Sequence, residues 1–425
     1  MAKKKKVERP KRKLTRRQLS HWQQQKRRQR FILGIGISVI IAVIGIVSAG
    51  LYYQWYLPNV KPLGETVTEV NGIKFSMDYY IKALKFQVGD QYTQYVQYFL
   101  DPVVESIQQD ELIRQGALEL GISVSDDEVD EELKSLALPL DNQAIRDVYR
   151  VQLLIVKLKD EYFDPQLPAS AQQKYVMAMF LESQSQADEV EARLEAGEDF
   201  GELAGELSLD SLTREKNGDL GWRPKGVLDE LLGTSVLENF ILGYPVGVLS
   251  YPIYDSNKTK DLGYWLIEVL ERNDETEEAY VHAILLASEE EARIVISRLE
   301  AGEDFTQLAE EFSQYGTEGS KADIGWIAEG DMAQVFDDYV FAAETELNVV
   351  SGIIRDEEAT TSGGYWLFKV LDSDTREISD EDREILVAQI MNEWMALILD
   401  DPENTVVSYL DDEMREFAIS KVIEG

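Results

Sequence analysis

The chain has 425 residues, enough for about three domains, and its 44% apolar content is typical of folded domains rather than of a disordered chain. It has no cysteine, which excludes disulfides and thiolate chemistry, and its two histidines, His21 and His282, are too few for a histidine-rich metal centre. The net charge of −37 is unevenly distributed, because residues 1–30 carry 14 basic residues and one acidic residue, whereas the remainder carries 28 basic and 78 acidic residues. This division predicts a physical boundary within the chain.

A transmembrane helix is predicted over residues 31–53, which are uncharged and rich in Ile, Val, Gly and Ala. At about 1.5 Å per residue this helix would be about 34 Å long, enough to cross a hydrocarbon core of about 30 Å. A cleaved signal peptide is the alternative, but its apolar region would be only about 7–15 residues long. The sequence therefore favours an anchor that stays in the membrane.

The basic arm, residues 1–30, predicts a cytoplasmic amino terminus with the bulk of the chain on the other side of the membrane. Tyr52, Tyr53 and Trp55 then fit the aromatic belt at a membrane interface. The arm could also bind nucleic acid, but beside a membrane helix its charge is better explained by attraction to anionic lipid. Membrane lipid is therefore an expected partner and nucleic acid is not.

The acidic remainder contains charge runs, such as residues 126–128 and 289–291, that are typical of solvated helix faces. Calcium binding would need oxygen ligands at a defined loop spacing, and the sequence has no EF-hand pattern. No metal site is predicted.

Residues 59–165 form a mainly helical segment. Residues 67–73 predict a short strand and turn, and Asp101-Pro102 predicts the start of a long helix. Ser125 and Glu128 have the spacing of a capping box, which predicts the start of another helix.

A repeat of about 100 residues follows, with its two copies at 172–272 and 278–372. The residues from Arg193 to Phe200 recur identically from Arg298 to Phe305, an offset of 105. Two further landmarks return in the same order: Gly221-Trp222 as Gly325-Trp326, and the four residues from Gly263 as the four from Gly364. The conserved order indicates two copies of one domain.

Each copy begins and ends with an apolar stretch of strand length and has helical periodicity between them. This order predicts a compact α+β domain in which the first and last strands of the same copy pair. The tail, residues 379–425, begins with a helix whose apolar stripe is too extensive to remain in water. We expect this tail to pack on the amino-terminal segment, because each repeat already has a complete set of elements.

These motifs resemble the parvulin family of peptidyl-prolyl isomerases, in the extracytoplasmic form represented by the chaperones SurA and PrsA. The resemblance is carried by the paired Ala-Gly-Glu-Asp-Phe motifs, by residues 217–222 with their partner 322–326, and by the terminal Gly-Tyr-Trp-Leu strands. It implies an α+β fold with two tandem parvulin-like domains and a helical chaperone domain at 59–165, closed by a carboxy-terminal helix and preceded by one transmembrane helix.

The activity implied by the resemblance is rotation about X–Pro bonds in unfolded or secreted polypeptides. The barrier is about 18–20 kcal/mol, but no bond is broken, so the reaction requires neither a cofactor nor a metal. The family's proline pocket uses a Met and, four residues later, a Phe. The second copy has both, as Met332 and Phe336, whereas the first copy has Leu228 and Leu232.

The family also places a histidine on the first strand and another on the last strand. The matching positions are Ala178 and Trp265 in the first copy, and Ala283 and Trp366 in the second. His282 is one residue away, and because side chains alternate along a strand it should point away from the pocket. The replacements allow the fold but remove the family's pair of polar side chains from both pockets.

Two hypotheses follow. The chain is a membrane-anchored prolyl isomerase that acts mainly through its second copy, or it is an inactive holdase that uses the parvulin folds only to bind peptides. A third possibility, a spacer or assembly factor for one partner, has less support.

Overall fold

A computed structural model describes residues 16–89, 91–316 and 319–423. The Lys-rich start of the basic arm lies outside the described residues. The chain divides into two compact units. The first unit contains the residues up to Leu158 and those from Glu393 onward, and the second contains Lys159–Asn392.

The strands and helices are numbered in chain order. The strands are β1 (Thr66–Val70), β2 (Ile73–Ser76), β3 (Ser170–Leu181), β4 (Asp219–Pro224), β5 (Ile253–Asn273), β6 (Glu278–Leu286), β7 (Asp323–Ala328), β8 (Ile354–Glu377) and β9 (Val406–Ser408). The helices are α1 (Arg16–Leu51), α2 (Leu57–Asn59), α3 (Met77–Val88), α4 (Leu100–Glu119), α5 (Asp126–Ser135), α6 (Gln143–Lys157), α7 (Gln184–Glu195), α8 (Phe200–Leu207), α9 (Ser211–Glu215), α10 (Val227–Leu232), α11 (Val236–Ile241), α12 (Glu289–Glu300), α13 (Phe305–Phe312), α14 (Gln334–Val340), α15 (Asp380–Leu399) and α16 (Asp412–Ile423).

The first helical stretch is apolar enough to cross a membrane. Within the described residues, Val39–Asn59 has a mean hydropathy of 1.6, and the large apolar side chains along the end of α1 are exposed. This stretch is compatible with a membrane anchor or a signal sequence, since both place an apolar helix near the amino terminus.

The core of the first unit combines residues from both ends of the chain. Strand β9 pairs antiparallel with β1 on the side opposite β2, and helix α16 buries Ala418 and Val422 against α3 and α4. The ion pair of Arg415 with Asp101, at 2.6 Å, joins α16 to the start of α4. The capping box predicted at Ser125 and Glu128 is confirmed as the start of α5.

Contrary to the prediction from the sequence, residues 379–425 do not all belong to the first unit. The part of α15 up to Asn392 belongs to the second unit, where Arg223 of β4 pairs with Asp382 at 2.5 Å. Only the end of α15 packs in the first unit, against Gly116. A Cβ at Gly116 would overlap Cδ1 of Ile398, so glycine permits this close approach.

The second unit is built on one six-stranded antiparallel sheet in the order β4-β3-β8-β5-β6-β7. The prediction that each repeat pairs its own first and last strands is wrong. The first strand of repeat one, β3, pairs with the last strand of repeat two, β8. Reciprocally, the first strand of repeat two, β6, pairs with β5 of repeat one. The two repeats have exchanged their last strands.

The exchange is accompanied by two segments that continue into the next strand instead of turning back as hairpins. Residues 256–262 and 357–363 are parts of β5 and β8, and residues 259–261 pair with residues 360–362, as in the register partners Lys260 and Thr361. Lys260 is buried there and donates from Nζ to the carbonyl of Gly363. Burial lowers the pKa of Lys260 to about 8.

The exchange creates two lobes, each with residues from both repeats. Lobe one has β4, β3 and β8 with α7 to α11, and lobe two has β7, β6 and β5 with α12 to α14. In each lobe one sheet face is covered by a pair of longer helices, α7 and α8 or α12 and α13. The opposite face is covered by the shorter helices, and the predicted pocket residues lie there.

Candidate functional site

In lobe two the candidate pocket combines residues of both repeats. Ala283, Met332 and Phe336 come from repeat two, and the large side chain beside them is Trp265 of repeat one. The ring of Trp265 lies 5.0 Å from that of Phe336 at an interplanar angle of 83°, and 5.4 Å from Tyr315. Phe336 is fully buried and Trp265 is 3% exposed, so Met332 and Tyr315 form the accessible edge.

The matching site in lobe one is also composite. Ala178, Leu228 and Leu232 of repeat one pack in one cluster with Trp366 of repeat two. Trp366 is fully buried, with its ring centroid 4.8 Å from that of Phe180. The sequence predicts each Trp beside the Ala of its own repeat, whereas strand exchange places it beside the Ala of the other repeat.

Both tryptophans have their indole N–H groups engaged. Trp265 donates to Oδ2 of Asp356 at 2.9 Å, and Trp366 donates to Oδ2 of Asp255 at 3.0 Å. Each carboxylate also accepts backbone N–H groups from the start of its extended segment, and both are buried. The indoles therefore fill the pocket floor without leaving a donor for a bound peptide.

A buried charge pair distinguishes lobe one. Nζ of Lys258 lies 2.7 Å from Oδ2 of Asp210 and 5.7 Å from the centre of the Trp366 ring. In lobe two the equivalent of Asp210 is Tyr315, since each stands two residues after a serine, Ser208 or Ser313, that accepts a strand N–H. Aligning the repeats on these serines would have revealed this difference.

The structure also adds a residue to the lobe one site. Asp337, the residue after Phe336, accepts the N–H of Gly330 at 2.8 Å, and Glu238 accepts the equivalent N–H of Gly226. Leu237, which precedes Glu238, is therefore the structural equivalent of Phe336, and it is fully buried in the same cluster as Leu232. The longer connection from Gly226 to Glu238 obscured this match.

The glutamate that caps Gly226 also affects a neighbouring carboxyl group. Burial, together with the adjacent charge of Glu238, raises the pKa of Asp229. A protonated Asp229 would relieve the repulsion between these two carboxylates.

His282 lies on the other face of the sheet. Its ring stacks with Phe305 of α13 at 6.3 Å, whereas its neighbour Ala283 belongs to the pocket cluster. The alternation of side chains along β6 therefore has the predicted effect. In the described part of the chain, no group of three or more His, Asp or Glu side chains is arranged to hold a metal ion.

The first unit carries a separate groove between β2, α4 and α6, with a volume of about 390 Å³. Its lining includes seven apolar side chains: Ile73, Phe75, Ile107, Leu118, Val124, Val151 and Leu154. Ile73 and Leu118 are 45% and 50% exposed. Exposed apolar side chains around a concave surface are typical of interaction sites.

The two repeats match a known protein family. The Rotamase family, described as the PPIC-type PPIASE domain, matches residues 178–271 and 275–372. The chain is 26% identical to Chaperone SurA of Alkalilimnicola ehrlichii over 309 residues, which cover 69% of this chain and 63% of that protein. It is 25% identical to Foldase protein PrsA of Halalkalibacterium halodurans over 235 residues, which cover 51% of this chain and 67% of that one.

A second SurA relative and a solved PrsA structure are also similar to the chain. The match to Chaperone SurA of Hahella chejuensis covers 64% of that protein, so the chain spans slightly less than two thirds of the SurA relatives' length. Among solved structures, PrsA of Bacillus anthracis aligns over 74% of this chain and 93% of its own, with a TM-score of 0.29 and 13% identity. The chain therefore contains two PPIC-type parvulin domains, and it is similar to both SurA and PrsA.

Proposed function

We propose that the chain is a membrane-anchored folding factor that holds unfolded polypeptides, and that prolyl isomerisation is a minor activity or is lost. The observation that carries this proposal is the state of the two pocket floors. Trp265 and Trp366 are almost completely buried, and their N–H groups are bonded to Asp356 and Asp255. A proline ring needs an open apolar pocket, and these indoles occupy the positions where the family has histidines.

The binding function is supported by the groove of the first unit and by the relatives' names. The relatives are called a chaperone and a foldase, and unfolded chains expose the apolar segments that such proteins would bind. Burying apolar area is worth about 25 cal/mol per Å², so a groove with exposed apolar side chains can hold these segments without a specific sequence.

Replacing an exposed apolar side chain of the groove should weaken this binding. We expect Leu118→Asp to reduce suppression of client aggregation several-fold, because a charge at the rim opposes contact with apolar segments. Leu136→Asp is the matched control, since Leu136 is 47% exposed on the same unit but does not line the groove. The measurement is light scattering of an unfolded client with the full chain in nanodiscs.

The same assay separates holding from isomerisation. A client without proline should be protected as well as a proline-rich client if the chain is a holdase. Equal effects of Leu118→Asp and Leu136→Asp on client aggregation would contradict the assignment of client binding to the groove.

The second candidate function is weak isomerisation in lobe two. It is favoured by Met332 and Tyr315, whose Sδ and hydroxyl lie 4.0 Å apart at the accessible edge beside Phe336. Acceleration of a proline-limited refolding reaction that is lost in Phe336→Ala, with the fold intact, would support it.

We further propose a single membrane span with residues 1–30 in the cytoplasm and the folded units outside it. The basic arm and the apolar stretch support this orientation. Protease added to intact cells should then digest the acidic units and leave a short basic fragment. Protection of the acidic units until the cells are lysed would contradict the proposal.

A further inference from the structure

The groove of the first unit is lined by more acidic than basic side chains. Four carboxylates line it, Asp110, Glu111, Asp126 and Asp147, and they face only two guanidinium groups, Arg114 and Arg150. Arg114 pairs with Glu111 at 2.6 Å, and Arg150 pairs with Asp147 and with Asp126. One carboxylate, that of Asp110, is left over.

Among the described residues the carboxylate of Asp110 has neither a hydrogen-bond nor an ion-pair partner, although this side chain is only partly exposed. Its neighbour Asp147 is satisfied, since it accepts from Gln143 at 2.8 Å, from Tyr79 and from Arg150. Burial, together with the nearby charge of Asp147, raises the pKa of Asp110 to about 7. A half-buried carboxylate without a cation costs stability, and sites that bear such a cost are frequently functional.

We propose that this groove selects apolar polypeptide segments that carry a lysine or arginine, and that Asp110 accepts the cation of that side chain. The inference rests on the proposed binding function and adds a substrate preference to it. The apolar lining takes the flanking side chains, while the aliphatic stem of Lys or Arg lies along Ile107 and Leu118 and directs its charged end to Asp110. The occupant is a client polypeptide, because its cation would balance the excess carboxylate.

The test compares three peptides of equal length and identical apolar residues, which differ only in a central Lys, Leu or Glu. Their binding to the full chain in nanodiscs is measured by fluorescence anisotropy, with empty nanodiscs subtracted. At pH 8 we expect the Lys peptide to bind roughly tenfold more tightly than the Leu peptide, and the Glu peptide to bind most weakly, because a charge-assisted hydrogen bond in a partly dry site has about this strength.

Asp110→Asn should abolish the preference for Lys while leaving the binding of the Leu peptide within about twofold, since the change keeps the shape of the side chain and removes only its charge. The matched control is Asp141→Asn, the same substitution at an exposed position of the same unit outside the groove. A Lys preference that survives Asp110→Asn, or one that Asp141→Asn also removes, overturns the proposal.

The pH dependence provides an independent check. As the pH falls from 8 to 6, Asp110 becomes protonated and the preference for the Lys peptide should shrink. The charged and titratable groups that face Asp110 are Tyr79, Glu111, Arg114, Asp126, Asp147 and Arg150. A preference that is equally strong at both pH values would mean that another group accepts the cation, which overturns the assignment to Asp110.

Hydrogen exchange of the amides of α4 tests whether Asp110→Asn is still folded. Between about pH 4 and 7, Asp110 keeps its proton in the folded chain but has lost it in the unfolded chain. The free energy of unfolding therefore falls as the pH rises through that range. Asp110→Asn should therefore protect the amides of α4 more strongly than wild type at pH 8 and equally below pH 4. Unchanged protection at pH 8 would mean that Asp110 already has a compensating charge, which overturns the proposal.

The peptide series also distinguishes this inference from the proposed function. Equal binding of the Lys, Leu and Glu peptides leaves the groove as a general apolar site and overturns only the preference for cations. Failure of all three to bind overturns both proposals.

Discussion

Cysteine pairs across the exchanged strands should form disulfides, whereas pairs in the unexchanged register should not. The register partners in the structure are Met177 with Lys369 and His282 with Glu268. Without exchange, each first strand would pair with the last strand of its own repeat, which would join Met177 to Glu268 and His282 to Lys369. Antiparallel partners have Cα atoms about 4.5–5.5 Å apart, within the range that disulfides span.

The chain contains no natural cysteine, so four double-cysteine variants of the full chain make a complete test. We expect almost complete oxidation of Met177→Cys/Lys369→Cys and His282→Cys/Glu268→Cys, and little oxidation of the two other combinations. Non-reducing gel mobility is the measurement, and the same variants in urea are the controls. Oxidation of Met177→Cys/Glu268→Cys in the folded chain, with none of Met177→Cys/Lys369→Cys, would show that the repeats are not exchanged.

Strand exchange changes what experiments on a single repeat mean. A fragment with only repeat two would keep Ala283, Met332 and Phe336 but lack Trp265, the residue that fills its pocket in the whole chain. Any activity of such a fragment would come from a pocket closed by Trp366 instead. The two lobes should also unfold together, because each lobe contains strands of both repeats.

The sequence was sufficient to predict the elements of the repeats, because helix and strand periodicity is local and occurs twice. It could not predict which last strand each first strand would choose. Residues 263–266 and 364–367 are identical, so β3 and β6 meet equivalent edges in either arrangement. The choice depends on whether residues 256–262 and 357–363 turn back or extend, and their pairing is a long-range interaction.

The candidate site was predicted only in part, because several of its contacts join residues that are distant in the chain. Short motifs located Met332 and Phe336, but the insertion before Glu238 moved the equivalent leucine from Leu232 to Leu237. The ion pair of Asp210 with Lys258 joins residues that are distant in the chain, and no local pattern indicates such a contact. Asp110 was missed because its unpaired state depends on how its neighbours pair.

Removing the carboxylate of Asp382 should destabilise the second unit by about 3–5 kcal/mol, because it leaves a buried cation without a partner. The side chain of Asp382 is 1% exposed and that of its partner Arg223 is 10% exposed, so water cannot replace the lost charge. Helix α15 is also held at this place by Gln389, whose Nε2 donates to the carbonyl of Gly226 at 2.6 Å. The ion pair therefore lies within the packing of α15 on repeat one.

The experiment compares Asp382→Ala with Asp380→Ala by urea unfolding of the full chain, with amide exchange read at β4. Asp380 is exposed in the same first turn of α15, so the control removes the same charge from the helix terminus and should cost less than about 1 kcal/mol. The double variant Arg223→Met/Asp382→Leu should recover most of the loss, because two apolar side chains leave no buried charge. Equal effects of the two single substitutions would mean that the ion pair does not hold α15 against repeat one.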